Sequence, residues 1–170
     1  MVEKESLVVG LIPLAVGGSE LSRWLPSGDL YSIALFHAKE AQGMGVIKGI
    51  LWHQGESDAD APNLAGSYAQ RFAHMINKFR TELGDPNIPV VVSTLGQFID
   101  RYRQGKGLCC YREVNRQIEI LPKYVKNLGV VHTHGLIDRG DGIHFDAQSQ
   151  IELGKRYATA MRKLTEKTRK

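Results

Sequence analysis

Cysteine is scarce in this chain of 170 residues, which has two, Cys109 and Cys110, side by side. Adjacent cysteines fit the geometry of a disulfide poorly, and neither has a partner elsewhere in the sequence. A CxxC spacing is also missing, so the sequence predicts neither a disulfide framework nor a zinc site. We interpret the pair as two free thiols at the start of a helix.

Long apolar runs are absent as well. A membrane-spanning helix needs about 18 or more apolar residues in a row, and no such run occurs. The charged first six residues lead into an apolar run without the small-residue cleavage site of a secretory signal, which leaves the localisation open. The excess of 22 Lys and Arg over 18 Asp and Glu is too small to favour nucleic acid as a partner.

The composition, 42% hydrophobic and 24% charged, is typical of one globular domain. Short apolar runs, interpreted as buried strands, cover residues 7–14, 46–52, 88–95 and 128–132. Helices are predicted over residues 29–42, 62–83 and 110–125, and from just after the N-cap residue Asp146. The last helix is expected to bury Ile151, Leu153, Tyr157, Met161 and Leu164. Alternating strands and helices indicate a doubly wound α/β fold.

Ligands of such folds bind beyond the carboxyl ends of the strands, and polar motifs follow the predicted strands there. Near the fourth strand, Asp141 precedes His144 by three residues on a glycine-containing turn. A carboxylate in that position can orient a histidine that acts as a general base. The alternative is a surface turn whose polar groups cap the following helix.

Two more motifs follow the first and second predicted strands. The segment 52–58 reads WHQGESD, in which the Gln54 amide is a candidate oxyanion donor and Glu56 a candidate for orienting a neighbour or substrate hydroxyls. Gly17 and Gly18 can bring backbone N–H groups close to a ligand. The first motif could instead be a polar strand-to-helix turn that caps the helix at Pro62, and the second a simple tight turn.

Taken together, three strings resemble one family: GLIPLAVGGS at 10–19, GILWHQGESD at 49–58, and GDGIHFD at 140–146 with LGKRYA at 153–158. They are similar to the sialate O-acetylesterase and carbohydrate esterase family six group of SGNH, or GDSL-like, hydrolases. The resemblance spans almost the whole chain. It implies a flavodoxin-like, three-layer α/β/α fold with a mainly parallel sheet.

The resemblance also implies roles for individual residues. His144 would be the catalytic base with Asp141 as its partner, while Gln54, Gly17 and Gly18 would form the oxyanion hole. Further site residues would be Glu56, Ser19 and His53. The activity would be removal of acetyl esters from sugars such as acetylated xylan or sialic acid, without metal or organic cofactor.

The nucleophile is where the sequence departs from the family. The family has a serine in a Gly-Gln-Ser-Asn-type block after its first strand, and no such block occurs here. We therefore expect a domain that is truncated at its amino end, in which Ser19 and Ser57 are poor substitutes because neither lies on a strained strand-to-helix turn. A missing inner strand would leave unpaired edges, so self-association is expected.

Two other hypotheses stay open at this point. One is a non-catalytic carbohydrate-binding or interaction module derived from such an esterase, and an upstream nucleophile block would argue against it. The other is an unrelated flavodoxin-like binding protein, which would need a phosphate-binding glycine-rich turn, and residues 17–19 match one poorly.

Overall fold

A computed structural model of this protein describes residues 8–167. Its parallel sheet contains β1 (Ile50–Trp52), β2 (Val90–Ser93) and β3 (Leu128–Val131) in the order β1–β2–β3. Val91 pairs with Leu51 on one side and with Gly129 on the other. The parallel α/β class is confirmed, and three of the four predicted strands form within the predicted ranges.

Helices connect and cover these strands: α1 (Asp29–Gln42), α2 (Pro62–Gly66), α3 (Tyr68–Glu82), α4 (Tyr102–Gly105), α5 (Tyr111–Glu119) and α6 (Ala147–Lys167). Short 3₁₀ helices lie at Leu21–Trp24, Asp58–Asp60, Gln97–Arg101 and Leu121–Lys123. The prediction of α1 is confirmed at both ends. The predicted helix 62–83 is divided at Ser67, which has φ −97° and ψ 3°, and Gly84 with φ +75° follows its end.

The first predicted strand is wrong. Residues 8–14 have no regular secondary structure, and residue 7 lies outside the described residues. A strand is stabilised by hydrogen bonds to a neighbouring strand, and within residues 8–167 β1 pairs with β2 alone. The segment pairs with no strand of this sheet, although the outer edge of β1 is unpaired within these residues. Leu11 leaves 83% of its surface exposed.

The core surrounds β2, whose four residues are all buried. Since successive side chains of a strand point to opposite faces, both faces of the sheet are covered at this strand. Helix α6 packs against β2 and β3, and a Cβ at Gly49 would come within 2.5 Å of Met161.

The start of α6 follows the prediction, because the Asp146 carboxylate accepts the N–H of Ser149 at 2.7 Å. The expected burial is confirmed for Leu153, Tyr157 and Met161. It is wrong for Ile151, which exposes 56% of its surface. None of the helices within residues 8–167 has the length and apolar character required to cross a membrane.

Candidate active site

The Asp141–His144 turn lies between β3 and α6. Asp138 and Phe145 form an antiparallel bridge that closes it, and Gly140 and Gly142 have φ values of +105° and +75°. Inside the turn, Asp141 Oδ2 lies 2.7 Å from His144 Nδ1. The spacing of three residues thus places the carboxylate against the ring, as the sequence predicts.

Asp141 is held by several donors at once. Its Oδ1 accepts the N–H of Ile143 at 3.0 Å and of His144 at 2.8 Å. The pKa of Asp141 lies far below its usual range because four groups stabilise the carboxylate. These are the N–H of His144, the His144 ring, the N–H of Ile143 and the Arg139 guanidinium. Because an ionised Asp141 accepts from Nδ1–H, the lone pair of the imidazole lies on Nε2. The His144 side chain is 62% exposed, so Nε2 is accessible to a substrate.

The loop after β1 carries a second polar cluster. His53 Nδ1 lies 2.5 Å from Ser93 Oγ, and His53 Nε2 lies 3.3 Å from Glu56 Oε1. Burial raises the pKa of Glu56, but hydrogen bonds from His53 and from the backbone N–H groups of Gly55 and Glu56 more than offset this, so its pKa ends below the ordinary value. Glu56 is therefore a carboxylate that accepts from His53 and fixes its ring.

The Gly17–Gly18 turn lies beside this loop. Gly18 has φ +69°, which glycine adopts without strain. Both glycines are exposed, and their N–H groups donate to no acceptor within the part of the chain that the structure describes. Two free, neighbouring N–H groups can donate to an oxyanion.

Gln54 joins that turn to the loop. Its Nε2 donates to Ser19 O at 3.0 Å and to Asp58 Oδ2 at 2.7 Å, and its Oε1 accepts from Tyr68 O–H at 3.1 Å. Both amide hydrogens are therefore in use, and Gln54 is buried. In this arrangement the amide holds the glycine turn in place.

The three motifs meet at the carboxyl ends of the strands. The ring of His53 contacts the ring of Phe145, the neighbour of His144, with centroids 5.5 Å apart. On the other side of the loop, Ser57 Oγ donates to Gly18 O at 3.0 Å. The loop after β1 therefore contacts both other motifs, through residue pairs 92 and 39 positions apart in sequence.

Comparison with known proteins shows the family to which the chain belongs. A family model described as carbohydrate esterase, sialic acid-specific acetylesterase, matches residues 1–163. The chain belongs to this carbohydrate esterase family.

Similar proteins support the family and the fold. The probable carbohydrate esterase At4g34215 of Arabidopsis thaliana is 29% identical over 93% of this chain. Its X-ray structure aligns with a TM-score of 0.83 over 95% of this chain at 28% identity. The crystal structure of XAC1771, a carbohydrate acetylesterase from Xanthomonas citri, aligns over 87% of this chain and 35% of its own chain. Its TM-score is 0.65 and its identity 21%, so this likeness shows the fold alone. This chain spans 57% of the length of At4g34215 and 63% of that protein's solved chain.

Serines near the site are all engaged in this carbohydrate esterase domain. Ser19 Oγ donates to Val16 O at 2.8 Å and accepts the Trp24 indole N–H at 2.9 Å, and the residue is buried. Ser57 donates to the glycine turn, and Ser93 is fully buried against His53. None of the three combines exposure with a free hydroxyl and a nearby base.

Two residues that the sequence analysis did not select have central positions. Asp58 is fully buried, and its carboxylate accepts the N–H of Leu21 at 2.8 Å, the Gln54 amide, and Arg71 Nη2 at 2.6 Å. Ser93 ends β2 and bonds His53. Asp58 could have been selected from the sequence, because it is the acidic residue that ends the WHQGESD string. Ser93 could not, because it lies within a run of apolar strand residues that gives no sign of a contact with His53.

No group of three or more His, Cys, Asp or Glu side chains within residues 8–167 is arranged to hold a metal ion. The adjacent thiols of Cys109 and Cys110 are both free. They precede α5, as the sequence predicts.

Proposed function

We propose that this domain is the Asp–His part of a carbohydrate O-acetylesterase, a serine hydrolase that removes acetyl groups from sugars such as acetylated xylan or O-acetylated sialic acid. The observation that carries the proposal is the Asp141–His144 pair, in which an ionised carboxylate holds Nδ1 and leaves Nε2 exposed. That arrangement is what a general base for acyl transfer requires.

The reaction proceeds in two steps. A serine hydroxyl gives its proton to His144 Nε2 while its oxygen attacks the acetyl carbonyl, and the C–O bond to the sugar breaks as the sugar oxygen takes that proton. Water then attacks the acetyl-serine, again giving a proton to His144, and acetate leaves as the serine oxygen is reprotonated. Asp141 stabilises the imidazolium in both steps.

The oxyanion of each tetrahedral intermediate is assigned to the N–H groups of Gly17 and Gly18, which are exposed and without a protein acceptor in the described region. Gln54 takes part by holding that turn through Ser19 O. Glu56 and His53 complete the wall of the site, since the His53 ring packs beside the His144 turn.

The nucleophile is assigned to a segment outside residues 8–167 that pairs with the free edge of β1. Ser19, Ser57 and Ser93 are unsuitable because their hydroxyls are engaged or buried. Support for a further strand comes from Leu51 of β1, which leaves 59% of its surface exposed. The greater length of At4g34215 is consistent with this assignment.

Hydrolysis of p-nitrophenyl acetate tests the proposal in chains with and without His144→Ala. Without the nucleophile, the oxyanion donors and substrate binding are expected to give a residual rate at most about 10³–10⁴-fold above that in water. His144→Ala should reduce the part of this rate in which the ring activates water as a general base. The Ser19→Ala and Ser57→Ala chains should keep it. An unchanged rate in a folded His144→Ala chain would rule out this base.

The origin of the nucleophile is tested separately with a fluorophosphonate probe, which labels activated serines. We expect no labelling of Ser19, Ser57 or Ser93. Labelling of any of them that disappears in the His144→Ala chain would place the nucleophile within the described residues and overturn that part of the proposal.

A further inference from the structure

A cleft of about 530 Å³ opens beside the Asp141–His144 turn. One wall is the segment Arg101–Gln104, and the other is the turn from Asp138 to Gly142. Its volume lies within the range of about 300–1,000 Å³ found for small-molecule sites. Asp141 lines the cleft and also holds His144, so a ligand in the cleft would lie on the Asp141 side of the proposed base.

The two walls are in direct contact. A Cβ on Gly142 would lie 2.8 Å from the backbone nitrogen of Tyr102, so glycine is needed for this close approach. Arg101 of the first wall forms an ion pair with Asp138 of the second. Asp138 in turn accepts the N–H groups of Gly140 and Gly142. The cleft is therefore formed by two segments that fix one another.

The first wall has an unusual backbone. Arg103 and Gln104 have φ values of +52° and +60°, in the left-handed region. This conformation is unfavourable for residues with a side chain, and residues held in it concentrate at ligand-binding and catalytic sites. Here it places two long polar side chains at the rim of the cleft.

The charges that line the cleft are already balanced. Arg101 pairs with Asp138, and Asp141 pairs with Arg139 and His144. Arg103 forms two hydrogen bonds with Asp60, of 2.9 and 2.8 Å. Among the described residues of the lining, no cation is left over to attract a carboxylate. What remains are N–H donors of the exposed Arg101 and Arg103 guanidinium groups and the Gln104 amide, which suit hydroxyl groups.

We infer that this cleft is the sugar subsite of the domain and that it takes a neutral sugar in preference to an acidic one. The inference rests on the proposed esterase function, because that function makes the bound sugar the substrate. It narrows the proposed substrates from acetylated sugars in general to neutral ones. The sugar would bind between Gln104 and the turn from Asp138 to Gly142, on the Asp141 side of His144.

The test is an NMR titration of the ¹⁵N-labelled chain with xylobiose, galactose and N-acetylglucosamine as neutral probes and N-acetylneuraminic acid as the acidic one. At least one neutral sugar should shift the amide signals of residues 101–104 and 138–142. N-acetylneuraminic acid should bind about fivefold more weakly or worse, which corresponds to one unmade hydrogen bond or an unpaired charge. Lowering the salt concentration should not strengthen its binding.

Two variants sharpen the assignment. Gln104→Gly removes the amide side chain while allowing the left-handed backbone, so the fold should be kept, and it should weaken neutral-sugar binding by about fivefold. Lys126→Ala is the control, because Lys126 lines a separate cleft beside Asn87 and Leu128, and binding should not change.

Some results would overturn the inference. The first is that the amide signals of residues 101–104 and 138–142 do not shift with any of the neutral sugars. The second is that the Gln104→Gly chain binds the neutral sugar as tightly as the unchanged chain. The third is that N-acetylneuraminic acid binds more tightly than the neutral sugars and that added salt weakens its binding. Sugar binding does not require the nucleophile, so the subsite and the esterase function can fail independently of each other. Sugar binding without hydrolysis would leave the subsite standing, and hydrolysis without binding here would remove the subsite alone.

Discussion

Asp138 Oδ2 accepts the backbone N–H of Gly142 at 2.7 Å, one residue beyond Asp141. The same oxygen accepts the N–H of Gly140 at 3.0 Å, and the side chain is only 5% exposed. These N–H groups lower the pKa of Asp138 despite the opposing effect of its burial. Asp138 therefore fixes the backbone on both sides of Asp141 without itself contacting His144.

Replacing Asp138 by asparagine should loosen this turn. We expect a loss of about 1–3 kcal/mol in the free energy of unfolding, typical of weakened hydrogen bonds to a charged group, and broadened NMR signals of the His144 ring. Asp100→Asn is the matched control, because Asp100 forms an exposed pair with Arg112. A sharp, unchanged His144 spectrum in the Asp138→Asn chain would contradict a positioning role.

Asp58 should matter most for stability. Removing a buried carboxylate that neutralises Arg71 leaves an uncompensated charge, and Asp58→Ala should cost about 3–5 kcal/mol. Urea unfolding measures the change. Asp60→Ala, which breaks an ion pair with Arg103 that is about half exposed, should cost no more than about 1 kcal/mol. Equal losses in the two variants would show that Asp58 does not tie the glycine turn to the loop.

The glycine turn offers a matched pair of substitutions. Neither Gly17 nor Gly18 has an atom within 4 Å of an added Cβ, but Gly18 has φ +69°. Gly18→Ala should therefore cost about 1–2 kcal/mol through backbone strain and reduce the residual hydrolysis of p-nitrophenyl acetate. Gly17→Ala should change stability little. If the two variants behave alike, the left-handed conformation of Gly18 is not required.

Buried tyrosines should make the protein sensitive to alkali. Burial raises the pKa of Tyr157 well above its ordinary value, and burial with the charge of Glu82 raises the pKa of Tyr31 to about 12. Since the folded-state pKa exceeds the unfolded value of about 10, the unfolded chain releases protons first. The stabilisation is complete below about pH 10 and is lost as the pH rises towards 12 and beyond.

Tyr157→Phe separates this effect from general alkaline damage. The variant loses the O–H that donates to Trp52 O at 2.5 Å, so near neutral pH it should be less stable by about 1 kcal/mol. Urea unfolding near neutral pH and at about pH 11 should then show a smaller alkaline loss for the variant than for the unchanged chain. An equal loss would mean that Tyr157 does not contribute to the alkaline transition.

Leu51 should promote self-association. It exposes 59% of its surface on β1, whose outer edge is unpaired within residues 8–167, and exposed apolar edge strands favour pairing with other chains. Leu51→Lys should lower the concentration-dependent increase in mass seen by sedimentation. Ile151→Lys changes a similarly exposed residue of α6 and should have no effect. Association that both substitutions reduce equally would point away from the edge.

The local sequence determined the bounds of α1, the start of α6 and the closure of the Asp141–His144 turn. Helix α1 has its predicted bounds, and α6 begins at its predicted cap, because caps, glycines and apolar spacing act over one or two turns. The Asp141–His144 contact also follows from the sequence, since three residues on a glycine-containing turn are enough to close it. Two of the motifs, WHQGESD and the Asp141–His144 turn, follow β1 and β3, where parallel α/β sheets place their ligand-binding loops, whereas Gly17 and Gly18 follow no strand.

Only the tertiary structure decided which groups are free and which are engaged. Residues 8–14 have an apolar, strand-like composition, yet they form no strand because they pair with no strand of the sheet, although the outer edge of β1 is unpaired within residues 8–167. The amide of Gln54 is used by Ser19 and Asp58, and Ser93 is brought to His53 by the pairing of β1 with β2. Pairing and burial depend on residues far apart in the chain, so composition and spacing alone cannot specify them.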